Sequence, residues 1–161
     1  MTAIIRKIKP SDNNSVSAII RSVMPEFGAN GQGFAIHDAE VDDIYGAYGN
    51  PRAAYFVCEE NGKIVGGGGV AGLLGGPHEI CELKKMYFLP AGRGRGLGQK
   101  LLVRCLDAAR ELGFEKCYIE TFNTMKGAMK LYERHGFKKI PGALGKTGHF
   151  ACDTFYLLDL K

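Results

Sequence analysis

One segment of the sequence alternates glycines with arginines and a leucine, in the order Arg93-Gly94-Arg95-Gly96-Leu97-Gly98. It follows a predicted strand and begins a predicted helix, so its backbone N–H groups lie at the positive end of a helix dipole, with few Cβ atoms in the way. The arginines add charge-assisted donors for phosphate oxygens. Because several N–H groups are offered in a row, the segment predicts a diphosphate site rather than a carboxylate site. The alternative is a flexible glycine turn with solvated arginines.

Other patterns that resemble ligand sites fail on their context. Gly67, Gly69 and Gly72 have the spacing of a dinucleotide-binding loop, but no helix pattern follows them. Residues 145–147 resemble the end of a P-loop, but Ile140 stands where that motif requires glycine. The histidines are isolated and the cysteines form no C-x-x-C pair, so the sequence predicts no metal site.

Hydrophobic periodicity predicts the elements that position the glycine-arginine segment. Strands are expected at residues 2–9, 53–59, 63–74, 79–89, 114–121, 137–140 and 153–160, and helices at 13–24, 40–48, 97–112 and 126–135. The order β-α-α-β-β-β-α-β-α-β-β predicts an α/β (α+β) fold with a mixed sheet and helices packed on it. Four glycines, residues 66–69, predict a bulge or a close backbone approach within one strand.

Composition limits the class of protein. A chain of 161 residues, 45% hydrophobic and 24% charged, is typical of one globular domain. The net charge of +4 is compatible with an anionic ligand. Because no aromatic platform or recognition-helix pattern accompanies the basic residues, we expect no nucleic-acid partner. No membrane span or signal peptide is indicated, and the five scattered cysteines favour a reducing cytoplasm.

Two motifs together resemble those of the GNAT N-acetyltransferase superfamily. Arg93-x-x-Gly96-x-Gly98, preceded by residues 86–90, resembles its acetyl-CoA-binding motif, and residues 128–137 resemble the motif that follows. The two matches stand at the family's usual distance, and the element order fits the whole chain. The resemblance implies a single acetyltransferase domain over residues 1–161. It also implies a mostly antiparallel central sheet of about six or seven strands, with helices on both faces and a splayed central strand pair.

The resemblance also implies a cofactor site for acetyl-CoA, the acyl donor. Backbone amides of the loop would hold the CoA pyrophosphate, with Arg93 assisting; the loop residues are Gly94, Arg95, Gly96, Leu97, Gly98 and Gln99. A splayed strand would pair with pantetheine through Met86, Tyr87 and Phe88. Many relatives carry an asparagine where this chain has Met125. Asn123 either substitutes for it or is a turn residue.

Two further residues are candidates for the chemistry. Tyr132 matches the tyrosine that is the family's usual general acid, although a tyrosine of the core is the alternative. Glu82 stands eleven residues before Arg93, the offset of a base glutamate in histone-type relatives. Strand alternation places Glu82 on one face with Lys84 and Met86. Glu79 is a second candidate base, and a structural carboxylate is the alternative for Glu82.

The resemblance therefore implies transfer of an acetyl group to a primary amine of a small molecule or peptide, by direct attack on the thioester. A non-catalytic module that senses acetyl-CoA is the alternative. The acceptor would enter between residues 26–43, which carry several carboxylates, and residues 141–152, where Lys146 and His149 could meet a carboxylate. The carboxylates would either attract a cationic amine or stabilise a helix N-terminus. A homodimer is compatible with this interpretation.

Overall fold

The computed structural model describes residues 2–161, which form one mixed sheet with helices on both faces. The strands are β1 (Ala3–Lys7), β2 (Ala53–Glu60), β3 (Lys63–Gly72), β4 (Ile80–Phe88), β5 (Lys116–Thr121), β6 (Lys138–Ile140) and β7 (Thr154–Asp159). Their order in the sheet is β1-β2-β3-β4-β5-β7-β6, and every neighbouring pair is antiparallel except β4 with β5. The predicted mixed, mostly antiparallel sheet of about six or seven strands is confirmed.

The helices cover the sheet from two sides because each is apolar on one side only. They are α1 (Asn13–Glu26), α2 (Ile44–Ala47), α3 (Leu97–Glu111) and α4 (Lys126–Arg134). Leu101 and Leu102 of α3 pack with Phe56 of β2 in the core on one side of the sheet, to which α4 also contributes. Val16 and Ile20, near the start of α1, belong to the core on the other side. Within residues 2–161, no helix combines the length and apolar character that a bilayer span requires.

Two helix boundaries differ from the prediction. The helix expected at residues 40–48 is divided into a 3-10 turn, Ala39–Asp42, and the short α2. The break falls at Asp43, whose backbone leaves the helical region and whose carboxylate accepts from the N–H of Gly46. Helix α1 continues through Pro25 to Glu26, because a proline in the last turn removes only a terminal hydrogen bond.

A bulge in β4 changes which way its side chains point. Gly67 pairs with Tyr87 and Gly69 with Lys84, so two residues of β4 stand opposite Gly68. One of them, Lys85, has a left-handed backbone with φ of 54°. Because the extra residue reverses the alternation, Tyr87 joins the core on the α1 side, whereas Met86 joins the core under α3.

The bulge corrects one expectation about the candidate base. Glu82 does share a face with Lys84, since the two flank Leu83 in the regular part of the strand and Leu83 packs into the core under α3. Met86 belongs instead to the core cluster of α3, as Leu83 does. Simple alternation was wrong here because it counts no inserted residue between Lys84 and Met86.

The four glycines of β3 accommodate close neighbours, as the sequence predicts. A Cβ atom on Gly66 would lie 2.3 Å from the ring of Phe88. A Cβ atom on Gly69 would lie 2.6 Å from the carbonyl oxygen of Ala54 and equally near the ring of Tyr55. The predicted close approach therefore occurs at these glycines, whereas the bulge described above lies opposite them, in β4.

The two central strands separate partway along their length. The parallel ladder between β4 and β5 consists of Ile80 with Lys116, Cys81 with Cys117, and Glu82 with Tyr118. Beyond Glu82 the ladder stops, so residues 83–88 present backbone N–H and C=O groups on the side towards β5. The splayed central strand pair is confirmed.

Replacing Gly69 with alanine should destabilise the protein by about 2 kcal/mol, because overpacking against a fixed backbone oxygen typically costs 1–3 kcal/mol. Thermal unfolding of Gly69→Ala and the parent measures the difference. Gly142→Ala is the matched control, since a Cβ atom there meets nothing within 4 Å. Equal melting temperatures for Gly69→Ala and Gly142→Ala would contradict the close approach.

Candidate active site

A cleft of about 340 Å³ opens where β4 separates from β5. Its walls are the end of β4, the segment that leads into α3, the first turns of α4 and the last turns of α1. Most residues of the predicted cofactor site line it: Met86, Tyr87, Phe88, Arg93, Gly94, Gly96, Gly98 and Gln99. Apolar side chains from α1 and α4 complete the wall: Val23, Phe27, Met125, Ala128 and Leu131.

The loop before α3 has the backbone geometry of an anion site. Gly94 and Gly96 adopt φ angles of 75° and 78°, and a Cβ atom on either would meet no atom within 4 Å. Gly96 is the N-cap residue, immediately before α3. Within the described chain, no backbone carbonyl accepts from the N–H groups of Gly96, Leu97 or Gly98. Unpaired donors at a helix N-terminus, facing open space, fit a phosphate group.

The two arginines of this loop point in different directions. Arg93 lines the cleft, where its guanidinium donates to both carboxylate oxygens of Glu26 at 2.7 and 3.0 Å. It also lies over the ring of Phe27. Arg95 instead forms a two-pronged ion pair with Glu60, with N–O distances of 2.6 and 2.8 Å. Only Arg93 therefore brings its side chain to the cleft.

Besides Arg95, two further residues of the predicted cofactor site do not face the cleft with their side chains. Leu97 packs inward against Val65, so it can contribute only its backbone. Asn123 is exposed and absent from the cleft wall, and its N–H donates to the carboxylate of Asp153 at 3.0 Å. The turn interpretation fits Asn123, and Met125 occupies the wall in its place.

A smaller inner cavity of about 40 Å³ adjoins the cleft. Four residues line both spaces: Met86, Tyr87, Met125 and Tyr132. Tyr132 is 6% exposed, and its ring packs on Phe137 and Tyr156. Burial raises the pKa of Tyr132 well above its ordinary value, so its hydroxyl keeps its proton at neutral pH. The core and the acid interpretations of Tyr132 are therefore compatible.

Glu82 lines the inner cavity and does not line the cleft. It is only 4% exposed, and no residue in the range 2–161 donates a hydrogen bond to its carboxylate. Burial raises the pKa of Glu82 to about 7, although Lys84 opposes the rise. Its carboxylate is therefore close to half-protonated at neutral pH, as a general base requires. The second candidate, Glu79, is exposed and does not line the cavity.

A network of buried charges surrounds the inner cavity. Lys85 donates to Asp38 at 2.7 Å and to Glu40 at 2.8 Å. His149 contacts Asp38 through Nε2 at 2.7 Å and Glu120 through Nδ1 at 3.2 Å. Burial disfavours the imidazolium, but these hydrogen bonds outweigh it and raise the pKa of His149 to about 9. Burial likewise opposes the charge of Asp38, yet contacts with His149 and Lys85 lower its pKa to about 2.

The sequence pointed to the loops that carry Asp38 and His149 but not to the contact between His149 and Glu120. The loops with Asp38 and His149 were expected to flank the acceptor, whereas Glu120 was not singled out. No local pattern marks Glu120, because its partner His149 lies 29 residues away in the chain. Only the pairing of β5 with the end of the chain brings them together.

The inner cluster favours proton transfer over metal binding. Ligand atoms of Glu82, Glu120 and His149 lie within 4.8 Å of one another, close enough to share an ion. Both ring nitrogens of His149 already contact carboxylates, and its raised pKa keeps the ring charged. A metal ligand needs a neutral ring with one nitrogen lone pair available. The arrangement instead places two groups suited to proton transfer in the wall of one cavity. The carboxylate of Glu82 gains a proton near neutral pH, and the phenol of Tyr132 holds one.

Comparison with known proteins places these features in context. The family model described as acetyltransferase (GNAT) family matches residues 17–137. The chain is 44% identical to the uncharacterized N-acetyltransferase YjgM of Escherichia coli K12, over 98% of this chain and 95% of that protein. It is 30% identical to an uncharacterized N-acetyltransferase of Schizosaccharomyces pombe, over 80% of this chain and 78% of that protein.

Solved structures share the fold. A GNAT-family acetyltransferase of Staphylococcus aureus Mu50 superposes with a TM-score of 0.87 at 22% identity, covering 99% of this chain and all of that one. A phosphinothricin acetyltransferase of Sinorhizobium meliloti, in complex with acetyl-CoA, superposes with a TM-score of 0.77 at 20% identity, covering 99% and 89% of the two chains.

Proposed function

The chain belongs to the acetyltransferase (GNAT) family, and from that premise we propose that it transfers an acetyl group from acetyl-CoA to a primary amine of a small molecule or peptide. The observation that carries the proposal is the junction of cleft and inner cavity. Tyr132 lines both spaces, and Glu82 lines only the inner one. The donor and the acceptor therefore have separate spaces that meet beside one phenol.

The cleft fits the acyl donor. Unpaired N–H groups at Gly96, Leu97 and Gly98 match the pyrophosphate, and Arg93 adds a charged donor. The unpaired edge of β4, residues 83–88, suits a pantetheine arm bound like an added strand. When bound there, acetyl-CoA supplies the acetyl group as a reactive thioester.

The residues of the chain handle the two protons of the reaction. An acceptor amine arrives as an ammonium and must lose a proton before it can attack a carbonyl carbon. Glu82 takes that proton, directly or through a water molecule, because its carboxylate is partly ionised at neutral pH. Tyr132 holds its own proton on the phenol oxygen and delivers it to the departing sulfur. The acetyl group thus passes directly from sulfur to nitrogen.

The alternative, a sensor that binds acetyl-CoA without turnover, has no use for the inner cavity. Binding alone requires the cleft, whereas Glu82 lies beyond it, buried without a hydrogen-bonded partner among residues 2–161. Burying an ionisable group in that way costs free energy and suits catalysis. We further propose that residues 1–161 act as a single catalytic domain, and that the protein works in the cytoplasm, where its five free cysteines stay reduced.

Gly96→Val should abolish most of the affinity for acetyl-CoA, because the added side chain fills the space in front of the N–H groups. We expect at least a tenfold weaker Kd, with a matching loss of the melting-temperature increase caused by ligand. Gly113→Val is the control, since Gly113 has a similar φ of 90° at the opposite end of α3. Unchanged affinity in Gly96→Val would contradict the pyrophosphate assignment.

Tyr132→Phe should lower kcat by on the order of 10²-fold or less, the range of general-acid catalysis, while leaving acetyl-CoA affinity nearly unchanged. The ring still packs on Phe137 and Tyr156, so only the proton is removed. Steady-state rates of thiol release with a good acceptor provide the measurement. Equal kcat values, under conditions where chemistry limits the rate, would exclude the acid role.

Glu82→Gln should remove a pH-dependent step from kcat/KM. In the parent, the active form of Glu82 is the carboxylate, so the rate should rise as pH passes through about 7. In the glutamine variant, kcat/KM should stay low as the pH passes through about 7. It should recover only at high pH, where the amine is already neutral. Parallel pH profiles for variant and parent would make Glu82 structural.

A further inference from the structure

A third space lies beside the inner cavity and shares part of its wall. This outer pocket has a volume of about 240 Å³ and is lined by Asp38, Ala39, Glu40, Leu74, Lys84, Thr147 and His149. It shares Lys84 and His149 with the inner cavity. The three spaces therefore form a row, in which the outer pocket meets the inner cavity at two cationic side chains and the inner cavity meets the cleft at Tyr132.

Lys84 retains hydrogen-bonding capacity at this boundary. Its side chain is only 11% exposed, yet its Nζ contacts one carboxylate of the described chain, that of Glu40, at long distances of 3.3 and 3.4 Å from the two oxygens. It also lies over the ring of Tyr48, 5.9 Å from the ring centre. The neighbouring Lys85 is 1% exposed and makes two contacts, at 2.7 and 2.8 Å. An ammonium has three donors, and a buried one is costly unless they are satisfied. Lys84 therefore has donors to offer a ligand.

The carboxylates of the outer pocket are already engaged. Asp38 contacts Lys85 and His149, and Glu40 accepts from Lys85 and from the hydroxyl of Tyr48 at 2.9 Å. Their charges are therefore largely compensated before any ligand arrives. Both ring nitrogens of His149 are engaged by Asp38 and Glu120, so Lys84 with its spare donors is left to set the preference at the boundary, and it favours an anionic group.

We propose that the acetyl acceptor is a free α-amino acid, with its amine in the inner cavity beside Glu82 and its carboxylate on Lys84 at the boundary with the outer pocket. The inference rests on the proposed acetyl transfer and adds the class of acceptor. In the reaction a new C–N bond forms as the C–S bond breaks. One proton of the ammonium passes to Glu82. A second leaves the nitrogen as the amide forms and replaces the proton that Tyr132 gives to the departing sulfur, so the products are an N-acetylamino acid and a thiol.

The sizes of the spaces fix the distance between amine and carboxylate. A cavity of about 40 Å³ holds little more than an amine or one or two water molecules. The anionic group must therefore follow the nitrogen within about two bonds to reach the side chains at the boundary. The amino-acid side chain then occupies the outer pocket, where Leu74, 61% exposed, offers an apolar surface.

Acceptor binding and turnover test this inference separately. Calorimetry on the complex with CoA compares a neutral L-amino acid such as leucine with its amide and with the decarboxylated amine, and thiol release from acetyl-CoA is followed with the same compounds. We expect the free amino acid to bind at least tenfold more tightly than the amide or the amine. A linear diamine serves as the probe for a purely cationic acceptor.

Lys84→Met should erase this preference, because it keeps the aliphatic stem and removes the charge. We expect a tenfold or greater rise in Kd and KM for the amino acid, with little change for the amide. Lys63→Met is the matched control, since Lys63 is exposed and lines none of the three spaces.

Each outcome decides one of the two proposals. Equal or tighter binding of the amide, the amine or the diamine would overturn the amino-acid acceptor, as would an unchanged preference in Lys84→Met. Thiol release with any of these amines would nevertheless uphold acetyl transfer. Absence of thiol release with every amine would overturn acetyl transfer, while the binding comparison would still decide the class of ligand.

Discussion

The bulge at Lys85 is the constraint on which the arrangement of the site depends. A non-glycine residue in the left-handed region is strained, so surrounding contacts must hold it there. The hydroxyl of Tyr55 donates to the Lys85 carbonyl at 2.8 Å, and the Lys85 ammonium is fixed by Asp38 and Glu40. These contacts tie the middle of β4 to the loop before α2. The inserted residue turns Tyr87 to the α1 side and Met86 to the α3 side, the reverse of what uninterrupted alternation would give.

Charge balance explains why the candidate base titrates near neutral pH. Lys84, Lys85 and His149 carry positive charge around the inner cavity, and the carboxylates of Asp38, Glu40 and Glu120 match them in number. Glu82 is the additional acid. Its ionisation gives the buried cluster a net negative charge. Burial and the charge of Glu120 oppose that ionisation and raise the pKa of Glu82, and Lys84 offsets the rise only in part.

The sequence predicted the elements well and the inner site only in part. The strand boundaries and the loop at Gly94 and Gly96 follow from local signals, namely periodicity and glycine placement. The side-chain direction of Met86 does not, because an inserted residue is visible only when two strands are paired. The contact of Glu120 with His149 was likewise out of reach, since it depends on β5 and the last loop meeting in space.

The last turn of α1 is a shared wall between two of the spaces. Phe27 and Val23 line the cleft, while Met24 lines the inner cavity. This turn is joined to the loop before α3 by the ion pair between Glu26 and Arg93. An anion in the cleft competes with Glu26 for the guanidinium of Arg93. Occupancy of the cleft therefore weakens the ion pair that holds this turn, and Met24 of the same turn lines the inner cavity. The fold thereby links the anion that occupies the cleft to the shape of the inner cavity, and the link acts equally in both directions.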